Sequence, residues 1–318
     1  MTMPTALIKD DFNNLLEYQS WLGEKWNSLS SLNVSFKERY KREKIERAIR
    51  TMPDWFGSDV TWEELSEGVT QYKDPALIEE LYNKVNNSIS TDIIYKIKKR
   101  KLDFNAIGVG VFCFDRAAMT LYRAKTPNGK TKVRTATKEL FAWFPQESRD
   151  RHAVDMFISC DAPASAEAKQ MLYGGISAII MAELLVKAGV KVKMNIVIGS
   201  AVAESRELYI GCVIPVKEFE QSFDRNLIAL LTSDPRFMRF DAFKGVIAAF
   251  DHFKRKTPEG MGFATNAAQL KTLFEESGYT EKSQAQHRYY FGGTLSQDQA
   301  IRDIDLTITD LAAKLGQK

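Results

Sequence analysis

Val154-Asp155-Met156-Phe157-Ile158-Ser159-Cys160-Asp161-Ala162-Pro163-Ala164-Ser165 opens the segment, running on to Ile214, whose reading decides the fold. A mostly apolar strand delivers a carboxylate and two hydroxyls to one loop, and open α/β sheets place their ligand sites in loops at the carboxyl ends of such strands. Tyr173 to Ala188 then reads as an apolar helix rich in Ala, Ile and Leu, stopped by a left-handed Gly189. Val190, Val192, Met194, Ile196 and Ile198 alternate with Lys191, Lys193 and Asn195, the period-two pattern of a strand. Leu208 to Ile214 is nearly continuously apolar, as a buried central strand is. Strand, helix, strand in this order implies a right-handed crossover with parallel pairing. The fold class is therefore α/β: a Rossmann-like parallel sheet flanked by helices.

Outward from this segment, Lys217 to Leu231 and Phe240 to Phe253 read as helices separated by Ser233-Asp234-Pro235. A short strand, Arg288 to Phe291, ends at Gly292-Gly293, and Ser296-Gln297-Asp298-Gln299 is a capping box before an amphipathic final helix. Upstream, Ile107 to Phe114 and Met119 to Tyr122 are strand-like, with a hairpin expected around Asp115 to Ala118, and Thr126 to Lys130 has the composition of a turn. Residues 1–104 read as mostly helical. Ser35-Phe36-Lys37-Glu38 and Thr61-Trp62-Glu63-Glu64 fit capping boxes, and Pro75 fits the first position of a helix striped by Leu77, Ile78, Leu81 and Val85. The expected division is a helical region over 1–104, a strand-rich connection over 105–150 and an α/β domain over 151–318.

With 44% hydrophobic and 27% charged residues, the composition is that of a folded globular chain and not of a disordered one. A net charge of +3 does not by itself mark a nucleic-acid binder. Cys113, Cys160 and Cys212 are odd in number and sit in apolar strand-like runs, which favours free thiols in a reducing compartment. The amino terminus lacks a signal-peptide core, and the apolar run from Ile176 to Val190 is interrupted by Glu183 and Lys187, so a cytoplasmic protein without a membrane span is expected. His152, His252 and His287 have no ligand-like spacing, and no Gly-x-Ser-x-Gly, P-loop or dinucleotide fingerprint is present. No nucleophile stands out, and binding is a better expectation than catalysis.

Two sites compete. At the first, Asp161 and Ser165, with Ser159 as a further hydroxyl, could hold Mg²⁺ or another divalent cation; the same residue types are equally suited to capping the turn and the helix that follow. Thr294, Ser296 and Asp298, after the late strand, could approach the same sheet edge. Gly174-Gly175 could admit a phosphate to the helix start, though close helix-to-sheet packing also accounts for them, and Gly108-x-Gly110 inside an apolar run marks a bulge. At the second site, Lys96, Lys98, Lys99, Arg100 and Lys101 place five positive charges in six residues. The 37–50 segment, including Lys41 and Arg42, carries seven basic against three acidic residues. Such density attracts phosphates, and nearby Tyr40, Trp55, Trp62, Tyr72 and Tyr95 could stack on single-stranded bases; solvated helix faces and core aromatics are the alternative.

The order from Val154 to Ile214, with a carboxylate and hydroxyls directly after the first strand and a long helix ending in Ala188-Gly189-Val190, resembles a von Willebrand factor A-like domain. Such domains carry Asp-x-Ser-x-Ser in this loop; here Asp161 and Ser165 match, and Pro163 replaces the first Ser. The resemblance spans about 150–318 and is similar in particular to the divergent A-like domains found beside MoxR-type ATPases in bacterial and phage genomes. It implies a non-catalytic adaptor that recognises a protein partner, an AAA+ ATPase among them, through the strand-end face around Asp161 and a divalent cation. The alternative expectation is a single-stranded nucleic-acid-binding accessory factor of phage transcription or replication, acting through 37–50 and 96–101.

Overall fold

Thr5–Lys9, in the region whose sequence reads as helical, is a strand (β1). In the computed structural model, which describes residues 5–88, 103–106, 111–114, 123–125, 131–133, 140–143, 153–202, 207–283 and 285–316, it is followed by helices α1 (Leu15–Asn27), α2 (Arg42–Thr51), α3 (Trp62–Glu67) and α4 (Pro75–Ser88). Short strands β2 (Asp103–Asn105), β3 (Val111–Phe112), β4 (Arg123–Lys125), β5 (Thr131–Val133) and β6 (Phe141–Trp143) come next. The carboxyl half carries β7 (Ala153–Ser159), α5 (Ala168–Lys187), β8 (Lys191–Ala201) and β9 (Leu208–Lys217). It continues with α6 (Arg225–Ser233), α7 (Phe243–His252), α8 (Ala267–Glu276), β10 (His287–Phe291) and α9 (Gln297–Gly316).

The chain divides into two compact units, one of residues 1–97 with 152–318 and one of residues 98–151. The helical amino-terminal region and the α/β segment thus share one unit, which differs from the expected division at 104 and 150. The physical reason is β1, which pairs in parallel with β9 and completes a sheet of order β1-β9-β8-β7-β10. β7 pairs in parallel with both β8 and β10, whereas β8 and β9 form an antiparallel hairpin. The result is a five-stranded, mostly parallel sheet flanked by helices.

Alternation along the strands sorts two cores. Val154, Met156 and Ile158 of β7 and Val192, Met194, Ile196 and Ile198 of β8 share a large apolar cluster with α1, α4, α5, α6, α7 and α9. Phe157 and Val197 face the opposite side, where Leu270, Leu273 and Phe274 of α8 cover them. Gly189, at φ 81°, stops α5 as expected. Gly175 serves helix-to-helix rather than helix-to-sheet packing: a Cβ there would overlap the Thr232 and Ser233 hydroxyls of α6.

Three local expectations change. Ser35 caps no α-helix; Val34–Tyr40 is a 3₁₀ helix, because Asn33 is held by Asp251, Arg255 and Thr257 while Phe36 packs against Leu29 and Ile247. Residues from Lys217 are not yet helical: β9 continues through Lys217, whose ammonium donates to the Val192 carbonyl at 2.7 Å, and α6 waits for its Asp224 cap. Arg236 to Phe243 passes through a π-helical turn, Phe237–Ala242, before α7. Thr61 and Pro75 start α3 and α4 as read from sequence.

In the second unit, β6 pairs antiparallel with β2 and β3, and β4 with β5. The expected turn at Thr126 to Lys130 lies outside the described residues. The Ile107 to Gly110 portion of the expected strand, the hairpin turn at Asp115 to Ala118 and the run from Met119 to Tyr122 lie outside the described residues.

Candidate functional site

The Asp161 loop leaves β7 where the backbone N–H of Cys160 still donates to Val197 of β8. Asp161 therefore sits just past the carboxyl end of β7, the position the sequence assigns it, beside β8, which runs on to Ala201. Its carboxylate is held from both sides: one oxygen accepts from the Ser159 hydroxyl, the other from the backbone N–H of Thr265 at 2.8 Å and the Thr265 hydroxyl at 3.2 Å. Burial pushes its pKa up to about 6, against these hydrogen bonds, which favour the ionised form.

Beside it opens a cavity of about 300 Å³. Its inner wall is Ile198 of β8, Met238 and Ala242 of the π-helical turn, and Val246 in the first turn of α7, all buried. Pro163, Ala164, Gly260 and Phe263 form the exposed mouth. Met261 and Gly262 both have positive φ, 64° and 83°, and the turn they make brings Phe263 into an antiparallel bridge with Ala201. Asp161 and Arg239 are the charged side chains lining the cavity.

Arg239 is 4% exposed. Its Nη1 donates to the Trp55 carbonyl at 2.5 Å, its Nη2 to the Ala166 carbonyl at 2.5 Å, and its guanidinium lies 4.1 Å from the centre of the Trp55 ring. The Nε has no partner, and burial lowers the pKa of the group. Its neighbour Arg236 is also buried but is bound by Asp234 and Glu64. Desolvation opposes the charge of Arg236, and those two carboxylates outweigh it and hold the pKa above its ordinary value.

Of the three residues read as metal ligands, Ser159 and Asp161 are brought together, and Ser165 is exposed on the following turn. The cap of α5 is Glu167, in a reciprocal box with Gln170. Thr265, which sequence reasoning did not single out, supplies the other hydroxyl. One carboxylate and two hydroxyls meet here, where a hard divalent cation takes six or more oxygens with backbone carbonyls and waters among them, and Arg239 adds positive charge to the same cavity. No cluster of three or more His, Cys, Asp or Glu is present among the described residues. Thr294 is buried and donates to Asp303, while Ser296 accepts from the Gln299 N–H at the start of α9.

In the basic segment 37–50, Lys41 pairs with Glu38 at 2.8 Å, and Arg42 pairs with Glu46 at 2.7 Å and Glu63 at 2.8 Å. Tyr40, Trp55 and Trp62 pack around buried Phe240, and Tyr72 is buried in the main core. Lys96, Lys98, Lys99, Arg100 and Lys101, together with Tyr95 and His152, lie outside the described residues. One described helix, α5, is long and apolar enough to cross a membrane; it packs against α4, α6, α9 and the sheet.

The segment bearing Asp161, α5, Arg239 and Thr265 falls within residues 141–317, which match a family model described as a domain of unknown function, DUF7192. The chain belongs to that family. The DUF7192 segment begins at β6 and contains β7 to β10, but not β1 or α1 to α4, which complete the same sheet and core. No curated protein and no solved structure matches the chain.

Proposed function

We propose that this protein is a non-catalytic recognition module, A-like in organisation, that acts in the cytoplasm and receives part of a protein partner at the strand-end cavity. The observation that carries the reading is the cavity itself, an opening with an exposed mouth, apolar walls, one carboxyl and one guanidinium. Its volume reaches the lower end of the range of small-ligand sites, about 300–1,000 Å³. The order of β7, the Asp161 loop, α5 and the β8–β9 hairpin supports the A-like comparison, and with it an AAA+ ATPase as the partner class. Catalysis is the weaker reading. Burial holds the Cys160 thiol protonated, and Ser159 and Thr265, whose hydroxyls donate to Asp161, are themselves buried and do not line the cavity. The free cysteines, two of them buried, support a reducing compartment.

Gly260 offers a clean test, since it lies at the mouth, and a Cβ there would meet nothing within 4 Å. Gly260→Trp should melt at the parent's temperature yet close the cavity. In affinity purification from the source cells, the variant is expected to lose the parent's specific partners, an ATPase among them, by roughly tenfold, the loss typical of a blocked anchor site. An unchanged set of partners would refute the reading.

A further inference from the structure

We infer that the cavity takes a carboxylate carried on an apolar body, with Arg239 as the group that pairs with it. The inference rests on reading this cavity as the recognition site, and it names the chemistry recognised there.

Arg239 stands in an apolar run, Phe237-Met238-Arg239-Phe240, and is almost completely buried. No carboxylate among the described residues lies at ion-pair distance from it; the backbone carbonyls of Asp54, Trp55 and Ala166 and the Trp55 ring are its neighbours, and its Nε–H has no acceptor. A buried charge without a counter-ion is costly, and the protein shows beside it how such a charge is ordinarily met, since Arg236 takes two carboxylates. Arg239 differs in facing a cavity, so its counter-ion can come from outside.

The shape of the vacant edge narrows the ligand. With Nη1 donating to the Trp55 and Asp54 carbonyls and Nη2 giving one hydrogen to Ala166, Nε–H and the remaining Nη2 hydrogen form a planar donor edge, which suits the two oxygens of a carboxylate. A single guanidinium, with no lysine and no second arginine in the lining, matches a monoanion better than a phosphate dianion. Met238, Phe243, Val246 and Phe263 give the rest of the ligand apolar walls. The carboxylate can belong to a free small molecule or to the end of a partner's chain.

The test uses 3-phenylpropionate, its neutral amide and inorganic phosphate as probes on the full chain, read by thermal melting. The carboxylate is expected to raise the melting temperature with increasing concentration, because a ligand bound by the folded state stabilises it. The amide and phosphate should give no comparable shift. Arg239→Lys keeps the charge but loses the planar edge and should weaken binding at least about tenfold. Should that variant fail to fold, Gly260→Trp must abolish the shift in its place.

To separate the two sources, a peptide ending in phenylalanine is compared as free acid and as carboxamide. Binding of the free acid alone assigns a chain terminus, and binding of 3-phenylpropionate without the peptide assigns a small molecule; either supports the inference. An equal response to acid and amide, a larger response to phosphate, or no response to any probe would overturn it. Loss of partners in Gly260→Trp without a carboxylate response would leave the recognition reading standing and remove only the inference about the ligand.

Discussion

Asp161 binds its proton more tightly in the folded protein than in the unfolded chain, since its pKa rises to about 6 from an ordinary value near 4. Between those values the folded state holds more protons than the unfolded state, so stability falls as pH rises and the full penalty is present above about pH 6. Two pH units correspond to about 3 kcal/mol. Asp161→Asn keeps the shape and removes the titration, because its carbonyl can accept from the Thr265 N–H and its amide can donate to Ser159. In denaturant titrations across pH 4 to 8, the parent should lose about 2 kcal/mol relative to the variant between pH 4 and pH 7, the rest of the penalty being already present at pH 4. A difference that does not change with pH would place the carboxylate in a more solvated state than the structure gives it. The Asp161–Ser159 half of the site was legible in sequence because the two residues are neighbours at a strand end. Thr265 and Arg239 come from loops and turns far along the chain, and only Arg239 left a signal, a lone cation in an apolar run.

At the scale of elements, α5 tests the packing argument with two adjacent glycines. Gly175 lies against α6, and the Cβ of an alanine would overlap the Thr232 and Ser233 hydroxyls. Gly174→Ala would place its Cβ 3.6 Å from the Thr294 carbonyl, an ordinary contact. Thermal melts should show Gly175→Ala destabilised by about 1–3 kcal/mol, as overpacking predicts. Gly174→Ala should be neutral or stabilised by up to about 1 kcal/mol, the helix preference of Ala over Gly. Equal effects would show that α5 and α6 do not approach as described. The β7–α5–β8 unit was readable because long periodic runs carry their own signal, whereas β1 is five residues long and takes its strand identity from pairing with β9. The helix α8 has only ten residues, and its sequence signals, an Asn266–Gln269 capping box and the Leu270, Leu273 and Phe274 stripe, went unread. The 3₁₀ turn at Val34 escaped the capping rule because tertiary contacts to Asn33 and Phe36 decide it.

Over the whole molecule, the matched DUF7192 segment and the cooperative unit are different lengths of chain. Tyr18 and Leu22 of α1 and Ile78, Leu81, Tyr82 and Val85 of α4 are buried in the same core as β7, β8 and α5. Polar contacts fasten the same helices: Glu183 of α5 accepts from the Tyr82 hydroxyl at 2.6 Å and from Arg225, which also pairs with Glu79 of α4. Asp251 of α7 takes Lys25, Ser30 and Asn33; burial alone would raise its pKa, but these three partners outweigh burial and hold it below the ordinary carboxylate value. Removing residues 1–97 would uncover β9 as a sheet edge and strip from the core those six side chains of α1 and α4, and Phe12, Val69 and Tyr72 besides. At about 1.5–3 kcal/mol each, they amount to on the order of 10 to 20 kcal/mol. That loss equals or exceeds a typical domain's entire stability, about 5–15 kcal/mol. A fragment of residues 152–318 should therefore show no cooperative melting transition, and co-expression with residues 1–97 should restore one. If the fragment melts cooperatively by itself, the amino-terminal region is an accessory to the fold and not a part of it, and the boundary belongs near residue 152 after all.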